Sequence, residues 1–467
     1  MRGAWIAGLF LLVSFANVAA ATPRPAGARS EVPGPEAQGP KGKQLATPGA
    51  AFLAEGREVF RHDTFGSEGF FGDMLGLHRA IAGAANGGVG AGVPPSAALS
   101  LGLKVDVEAL SPAVKNALRS GRIDLDDPAT TLALLRADAV VGVRGFFDAG
   151  GTITSIGTTC ALCHSTVDDS FAPGIGRRLD GWPNRDLNVG AIVAASPDLS
   201  FFADALQVSE DTVRQVLSSW GPGRYDALLV LDGQAFRPDG TTSSVVLPPA
   251  FGLAGVNLAT YTGFGDVTYW NAYVANTQMH GIGTFFDPRL DDPVKYPVAA
   301  RLGLDNIRQE NDRITRVLPA LHVYQLSLKA PKPPAGSFDA AAAERGRALF
   351  DGKARCAACH VPPIYTEPGH DLHAPAELGI DDFHASRSPT GMYRTTPLGG
   401  LFTRVKGGFY HDGRFPDLRA VVDHYGGEQR EHRVECCNTE GDEWGIFRLK
   451  GGRWHRVRGR RAKRGAM

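Results

Sequence analysis

Two short stretches of this chain decide how it is read: Cys160-Ala161-Leu162-Cys163-His164 and Cys356-Ala357-Ala358-Cys359-His360. Each stretch places two thiols one helical turn apart and a histidine directly after the second thiol. At this spacing both thiols form thioether bonds with the vinyl groups of one haem, and the histidine reaches the iron as its proximal ligand. The sequence therefore predicts two covalently attached haem c groups.

Three other uses of paired cysteines fit this pattern less well. Zinc ribbons place their two pairs about 15 to 20 residues apart, whereas about two hundred residues separate the pairs here. A thioredoxin-like redox motif needs a strand before it and a helix after it. Disulfide bonds form in an oxidising compartment, but they give no role to a histidine that follows both pairs. Haem attachment is favoured over all three.

The N-terminus indicates an exported protein. Arg2 precedes an apolar run from Ala4 to Val18, and small residues that suit a cleavage site follow this run. Because the run is short for a membrane span, we predict a cleaved signal peptide over residues 1–21 rather than an anchor. No later stretch is apolar enough to cross a bilayer. We therefore expect a soluble periplasmic protein with no transmembrane segment.

Composition bounds the fold and the partners. A chain of 467 residues is too long for one core, and 58 glycines with 31 prolines predict long loops. The formal net charge is zero, which gives no reason to expect a nucleic-acid partner. We predict a mainly α protein with two cytochrome c-like haem domains. The N-terminal haem domain is enlarged and carries a small β-hairpin at about 140–156, directly before the first motif.

The predicted organisation follows from shifts in composition and periodicity along the chain. Helical patterns are expected over 51–84, with a break at Gly66, and over 111–137, 209–220, 307–326 and 340–350. Asp126 or Asp127, and Ser209, are expected to cap two of these helices. The predicted segments are, in order, a signal peptide (1–21), a flexible linker (22–50), the N-terminal haem domain (51–329), a Pro-rich linker (330–337), the C-terminal cytochrome c domain (338–430) and an atypical, disordered basic tail (431–467).

The sixth position of each iron decides what the protein can do. A filled position transfers electrons, and an open one binds peroxide or another small molecule. Apart from its two terminal residues, the chain has only three methionines. Met392, in a loop after the second motif, is a candidate ligand of the second iron, and Met279 or His280 is a candidate ligand of the first. Arg185 is a candidate partner of a haem propionate, because guanidinium binds carboxylates in a fork.

Several motifs around the second Cys pair carry a family resemblance. They are Gly346-Arg347-Ala348-Leu349-Phe350, Tyr393-Arg394-Thr395-Thr396-Pro397-Leu398, Phe409-Tyr410-His411-Asp412-Gly413-Arg414-Phe415, Leu418 and Val421-Val422-Asp423-His424-Tyr425. The segment from about 341 to 425 resembles the C-terminal haem domain of the bacterial di-haem cytochrome c peroxidases. That family also includes a di-haem enzyme that matures a tryptophan-derived quinone. The resemblance covers under a fifth of the chain.

The resemblance implies a second candidate for the sixth ligand of the C-terminal haem. In that family the ligand comes from the helix after the His-Asp-Gly motif, as Met in the peroxidases and Tyr in the quinone-maturing enzyme. Here that position carries Tyr425, preceded by His424. Met392 and Tyr425 both stay open. About 140 residues of mature chain precede the first Cys pair, far more than in the peroxidases, and no peroxidatic glutamate can be aligned, so catalytic residues stay unassigned.

The function expected from these features is that of a periplasmic, peroxidase-like oxidoreductase, in which one haem relays electrons to the other. Small redox proteins would be its electron donor or acceptor. Two alternatives stay open, so whether the protein is an enzyme is undecided: a pure electron carrier with both irons six-coordinate, and a non-catalytic haem-based sensor. The basic tail departs from the family. We interpret it as an altered terminus, in which Cys436 and Cys437 carry no function, in preference to a tail that binds nucleic acid or a membrane surface.

Overall fold

The computed structural model describes residues 48–426 and, beyond them, the backbone of two strands, Glu443–Lys450 and Arg453–Arg461. The predicted signal peptide, nearly all of the flexible linker, and Cys436 and Cys437 lie outside the described residues, so these assignments stay predictions. In the described part of the chain, we find no helix with the length and apolar character needed to cross a bilayer.

The described chain is mainly helical, as predicted. Its α-helices are α1 (Pro48–His62), α2 (Leu77–Ala82), α3 (Pro95–Ser100), α4 (Pro112–Arg119), α5 (Pro128–Arg136), α6 (Ala161–His164), α7 (Val189–Ala194), α8 (Ser200–Leu206), α9 (Glu210–Ser219), α10 (Leu229–Asp232), α11 (Val267–Tyr273), α12 (Pro297–Leu302), α13 (Leu318–Ser327), α14 (Ala340–Asp351), α15 (Pro375–Leu378), α16 (Phe383–Ser386) and α17 (Leu418–Gly426). Two π-helical segments, Gly69–Met74 and Val274–Gln278, accompany them.

The strands are short and form two-stranded sheets. The parallel pair is β1 (Val105–Asp106) with β5 (Ile175–Gly176). The antiparallel pairs are β2 (Val143–Phe147) with β3 (Ile153–Thr158), β4 (Ser165–Val167) with β6 (Arg178–Asp180), β7 (Arg224–Tyr225) with β8 (Val245–Val246), β9 (Thr284–Phe286) with β10 (Asn306–Arg308), and β11 (Glu443–Lys450) with β12 (Arg453–Arg461). The hairpin predicted before the first Cys pair is β2–β3, and β3 ends at Thr158, two residues before Cys160.

Short polar side chains begin several helices, and two of them, Asp127 and Ser209, are caps that the sequence predicts. Ser111, Asp127, Ser209 and Asp339 stand directly before α4, α5, α9 and α14, and each accepts a hydrogen bond from a backbone N–H of the first turn. Such a bond satisfies an N–H that has no partner within the helix. Of the two residues proposed as the cap of α5, it is Asp127 that takes this role.

Two predicted helices are shorter than expected. The pattern over 51–84 is divided into α1, the π-helical segment Gly69–Met74 and α2, and the break lies at Gly66, where φ is +91°. The pattern over 307–326 becomes a helix only from Leu318, because Asn306–Arg308 pairs with β9 and Asn311 adopts φ +61°. A left-handed residue stops an α-helix, and Asn tolerates that conformation better than most residues.

The packed interior lies mainly in the N-terminal part. One apolar cluster joins α2, α5, α7 and α9 to the β2–β3 hairpin and includes Leu75, Leu135, Leu187 and Trp220. A second cluster packs α1 against α13 and reaches the first Cys pair through Ala161. By contrast, α14 and α17 bury none of their residues. The region around the second Cys pair therefore draws little stability from its own helices.

The segment from 387 to 412 lies against the N-terminal part. Arg387 forms ion pairs with Asp226 and Asp232, and all three side chains are about 1% exposed. The backbone N–H of Val246 donates to the carbonyl of His411 at 2.8 Å. The predicted Pro-rich linker, 330–337, falls between α13 and α14. The domain boundaries themselves stay predictions.

Candidate functional site

The first motif lies at the end of the β2–β3 hairpin. Cys160 precedes the single turn α6, which ends at His164, and β4 follows directly. The preceding loop holds this turn closely: a Cβ on Gly142 would lie 2.1 Å from the backbone nitrogen of Leu162, and Gly142 has φ +80°. Only glycine fits at such a contact. The hairpin and this loop fix the position of both thiols.

A cavity of about 620 Å³ lies beside the first motif. Cys160, Cys163 and His164 form part of its wall, and most of the remaining wall is aliphatic or aromatic. Burial raises the pKa of both thiols to about 12, so they are neutral. A large apolar cavity with a few convergent polar groups is typical of a cofactor site.

The histidine of the first motif is oriented for metal binding. Its Nδ1 lies 3.2 Å from the carbonyl oxygen of Pro248. A carbonyl only accepts, so Nδ1 carries the proton and donates, and the lone pair of Nε2 is left for a metal ion. Burial lowers the pKa of His164 to about 4, which keeps the ring neutral. Nothing in the sequence predicts that Pro248 has this part in the site.

The histidine of the second motif repeats this arrangement. His360 Nδ1 lies 3.0 Å from the carbonyl oxygen of Tyr365 and donates to it. Burial lowers the pKa of this histidine as well. Two motifs with different surroundings thus both hold their histidine by a backbone carbonyl at Nδ1. For His360, a backbone interaction with Thr396 adds to this bond. A proton on Nδ1 is the state that an axial haem ligand needs.

Met279 and His280 line the same cavity as the first motif. Met279 is 7% exposed and packs in the apolar cluster that contains Ala161. The His280 ring stacks on Phe70, with ring centroids 3.7 Å apart, and meets Phe201 edge-on at 5.2 Å. Burial lowers the pKa of His280 to about 4. Its ring nitrogens form no hydrogen bond among the residues that the structure describes.

Two rare backbone segments meet at His280. The π-helical segment Val274–Gln278 ends just before Met279, and Phe70 belongs to the other π-helical segment, Gly69–Met74. His280 itself has φ +53°, a strained value for a residue with a Cβ. Segments of π-helix often occur at functional sites. Neither segment was recognised in the sequence, since both show an ordinary helical pattern.

The second motif lies in a more open setting. Cys356, Cys359 and His360 are half-buried, and the preceding helix α14 and the later helix α17 bury no residue. Several large apolar side chains of this region are exposed: Phe338, Leu349, Tyr365, Met392, Val405, Leu418, Val422 and Tyr425. A helix of this length is marginal without packing of its apolar face. The apolar surface offered near this motif therefore fits a large planar apolar group such as haem.

Met392 and Tyr425, the two residues predicted as sixth ligand of a haem iron at the second motif, are both accessible. Met392 is 39% exposed, and Tyr425 is 41% exposed. The ring of Tyr425 lies 6.4 Å from that of Tyr410. The neighbouring His424 has its Nε2 3.0 Å from the carbonyl oxygen of Leu378, which ties this ring to the backbone. The choice between Met392 and Tyr425 stays a prediction.

Cys359 also belongs to a group of three side chains whose donor atoms could hold a metal ion. Its sulfur and the donor atoms of Glu367 and His373 lie within 4.8 Å of one another. His373 Nε2 is 2.9 Å from the Glu367 carboxylate. The contact with the Cys359 thiol and the nearby carboxylates raise the pKa of His373 to about 10. A metal ion at this place would compete with haem attachment for the same sulfur.

Arg185, predicted to bind a propionate, is 7% exposed. Its Nη1 donates to the carbonyl of Lys406 at 3.1 Å, and its buried Nε has no partner among the described residues. The guanidinium therefore stands between the N-terminal part of the chain and the loop at 406–408.

Comparisons with known proteins give a partial match. No protein-family model matches the chain, and no solved structure matches it. Among curated proteins, the chain is 40% identical over 132 residues to the methylamine utilization protein MauG of Methylorubrum extorquens. The match covers 24% of this chain and 36% of MauG, so the chain spans about a third of the length of this relative. The match supports, in part, the resemblance to the di-haem cytochrome c peroxidase family.

Proposed function

We propose that this chain is a periplasmic di-haem c-type cytochrome that acts as a peroxidase-like oxidoreductase, with one haem relaying electrons to the other. The observation that carries the proposal is the matched orientation of His164 and His360, each with Nδ1–H held by a backbone carbonyl within a Cys-x-x-Cys-His motif. The partial match to MauG supports the same class of protein.

The two sites have different surroundings, which supports a division of roles. The first motif faces the apolar cavity of about 620 Å³, and we assign the reaction to this site. The second motif is half-buried and lies between helices with exposed apolar side chains. A small redox protein can approach such a site, so we assign electron transfer with the partner to the second motif.

The residues of the first site have separable tasks. His164 would offer a neutral Nε2 to a haem iron, and the Pro248 carbonyl fixes the plane of the ring. Phe70 and Phe201 hold His280 in a single orientation. Apolar walls exclude water, which strengthens electrostatic interactions within the cavity. Haem c, when bound, supplies one-electron and peroxide chemistry.

The direct test of this proposal uses hydrogen peroxide. We expect the reduced, purified protein to be reoxidised by peroxide over many turnovers when an electron donor is present. We also expect the oxidised protein to show a high-spin haem signal in low-temperature electron paramagnetic resonance. Absence of both turnover and a high-spin signal would refute the enzymatic function.

A pure electron carrier is the second candidate, and His280 is the observation that favours it. An imidazole in the cavity of the first motif, whose nitrogens have no hydrogen bond to any residue that the structure describes, is suited to fill a sixth position. Carbon monoxide distinguishes the two functions. The absorption spectrum of a carrier with two filled positions should not respond, whereas an open site should give a shifted Soret band.

His280→Ala should change the first haem and leave the second unchanged. If His280 is an axial ligand, that iron should become five-coordinate and high-spin. If His280 transfers a proton, peroxide turnover should fall by about 10²-fold. Met279→Leu, a change of similar volume at the other candidate ligand, should retain the wild-type spectrum if His280 is the ligand, and should change it if Met279 is the ligand. Identical paramagnetic resonance spectra and turnover for His280→Ala and the wild type would show that His280 has neither role.

A further inference from the structure

Three arginines lie close together in a largely buried place between the N-terminal part and the segment from 394 to 408. Arg404 is 5% exposed and Arg185 is 7% exposed. Arg394 is half-buried and is followed by the Thr395–Pro397 stretch of the family-like motif. Tyr261 interacts electrostatically with all three guanidinium groups and with that of Arg224, and its hydroxyl donates to the carbonyl of Val246 at 3.1 Å. The three cations are therefore neighbours in the fold.

Within residues 48–426, the groups that accept hydrogen bonds from these arginines are all backbone carbonyls. Arg404 Nη2 donates to the carbonyls of Pro397 and Gly399 at 2.8 and 3.0 Å. Arg394 Nε donates to the carbonyl of Thr260 at 2.5 Å. The Nε atoms of Arg404 and Arg185 are buried and have no partner among the described residues. The backbone thus holds each guanidinium in place, while the Nε–H groups of Arg404 and Arg185 remain available to bind a further group.

No carboxylate in the described part of the chain forms an ion pair with Arg185, Arg394 or Arg404. Burial lowers the pKa of all three. Buried like charges without counter-ions are costly, and native proteins pair them. Elsewhere this chain follows that rule, since the equally buried Arg387 has two aspartates. The missing negative charges must therefore come from a bound group.

The position of these arginines at the cavity beside the first motif indicates which group they bind. Arg394 and Arg404 line the same cavity as Cys160, Cys163 and His164. Haem carries two propionate carboxylates, and guanidinium binds carboxylate in a fork. We propose that Arg394, Arg404 and Arg185 form the carboxylate site that receives the propionates of the haem attached at Cys160 and Cys163. This inference rests on the proposed function, because it requires that haem.

Arg394 and Arg404 thus join Arg185, which the sequence predicts to bind a propionate, in one site. Arg185 comes from the N-terminal part, whereas Arg394 and Arg404 follow the second motif. Propionates held by all three would join the two parts of the chain through the first haem. The second half of the chain would then influence the midpoint potential of the first haem. Removing a cation beside a propionate favours the oxidised iron, which carries the greater positive charge, and so lowers this potential.

The test compares Arg404→Gln with Arg404→Lys and an exposed control, Arg316→Gln, in the full-length holoprotein. Mass spectrometry first establishes that two haems are attached; if they are not, the proposed function fails before this inference is tested. With both haems present, Arg404→Gln should lower the midpoint potential of one haem by about 59 mV, a tenfold change in the one-electron equilibrium. Its propionate bending band in the resonance Raman spectrum should move. Arg316→Gln should change neither.

Arg404→Lys keeps the charge and loses the fork. The midpoint potential of Arg404→Lys should be close to that of the wild type, whereas its propionate band should stay displaced. If Arg404→Gln does not fold, Arg404→Lys is tested in its place. If two haems are attached and both the midpoint potential and the propionate band of the variants equal those of the wild type, the proposal is wrong. Calorimetry with benzoate tests whether the arginines bind a free carboxylate instead. The proposal is also wrong if benzoate binds the wild type, if Arg404→Gln abolishes this binding, and if the haem spectra and midpoint potential of that variant stay unchanged.

Discussion

Arg387→Met is expected to lower the free energy of unfolding by about 3–5 kcal/mol, because it leaves two buried carboxylates without their cation. Arg387 Nε donates to Asp232 at 2.6 Å, and Nη2 donates to Asp226 at 3.1 Å. The three side chains are each about 1% exposed. Urea unfolding of the holoprotein, followed by circular dichroism at 222 nm, measures the loss.

The same variant should show a new dependence on pH. In the wild type, burial already raises the pKa of Asp232 more than Arg387 lowers it. Without Arg387 this pKa rises further, so the folded variant binds a proton more readily than the unfolded chain does. Its stability should increase as the pH falls from 7 towards the ordinary carboxyl range, about 4. The difference in the free energy of unfolding between the variant and the wild type should therefore become smaller as the pH falls over this range.

A surface pair gives the matched control. Arg347 lies 3.7 Å from Asp351 on α14, and both side chains are largely exposed. Arg347→Met should cost no more than about 0.5 kcal/mol. Adding Asp226→Asn and Asp232→Asn to Arg387→Met should recover part of the lost stability, because the uncompensated charges are removed. A loss below about 1 kcal/mol for Arg387→Met alone would show that the cluster does not hold the two parts together.

The sequence predicted those features that depend on neighbouring residues. The helix caps at Asp127 and Ser209, the hairpin before Cys160 and the break at Gly66 all follow from local chemistry, and the structure shows each of them. The Cys-x-x-Cys-His motifs are local in the same sense. Their spacing within one helical turn carries the chemistry, whatever the surrounding fold.

What the sequence could not predict depends on residues that are distant in the chain. The carboxylates that pair with Arg387 lie 161 and 155 residues before it. The carbonyl that orients His164 is 84 residues away. The aromatic ring beneath His280 belongs to Phe70, in a π-helical segment that has the apolar spacing of an α-helix. Periodicity reports which face is apolar, but not which distant element covers it.

Replacing both cysteines of one motif by alanine should remove one haem and leave the other. Cys160→Ala with Cys163→Ala should abolish peroxide turnover and the response to carbon monoxide, since the cavity of about 620 Å³ belongs to the first motif. Cys356→Ala with Cys359→Ala should keep the carbon monoxide response but slow reduction by the donor. Intact-protein mass and the pyridine haemochrome spectrum count the haems in each variant. Loss of both haems, or of neither, would contradict two independent attachment sites.

The second pair of substitutions also decides how the chain uses Cys359. Because α14 and α17 bury no residue against the protein, loss of the second haem should reduce their helicity, visible as a smaller circular dichroism signal at 222 nm. The first pair should have little effect on these helices. If Cys359 instead binds a metal ion with Glu367 and His373, the wild type should carry a single haem. It should then lose a metal ion to a chelator, which thioether-bound haem resists because its attachment is covalent.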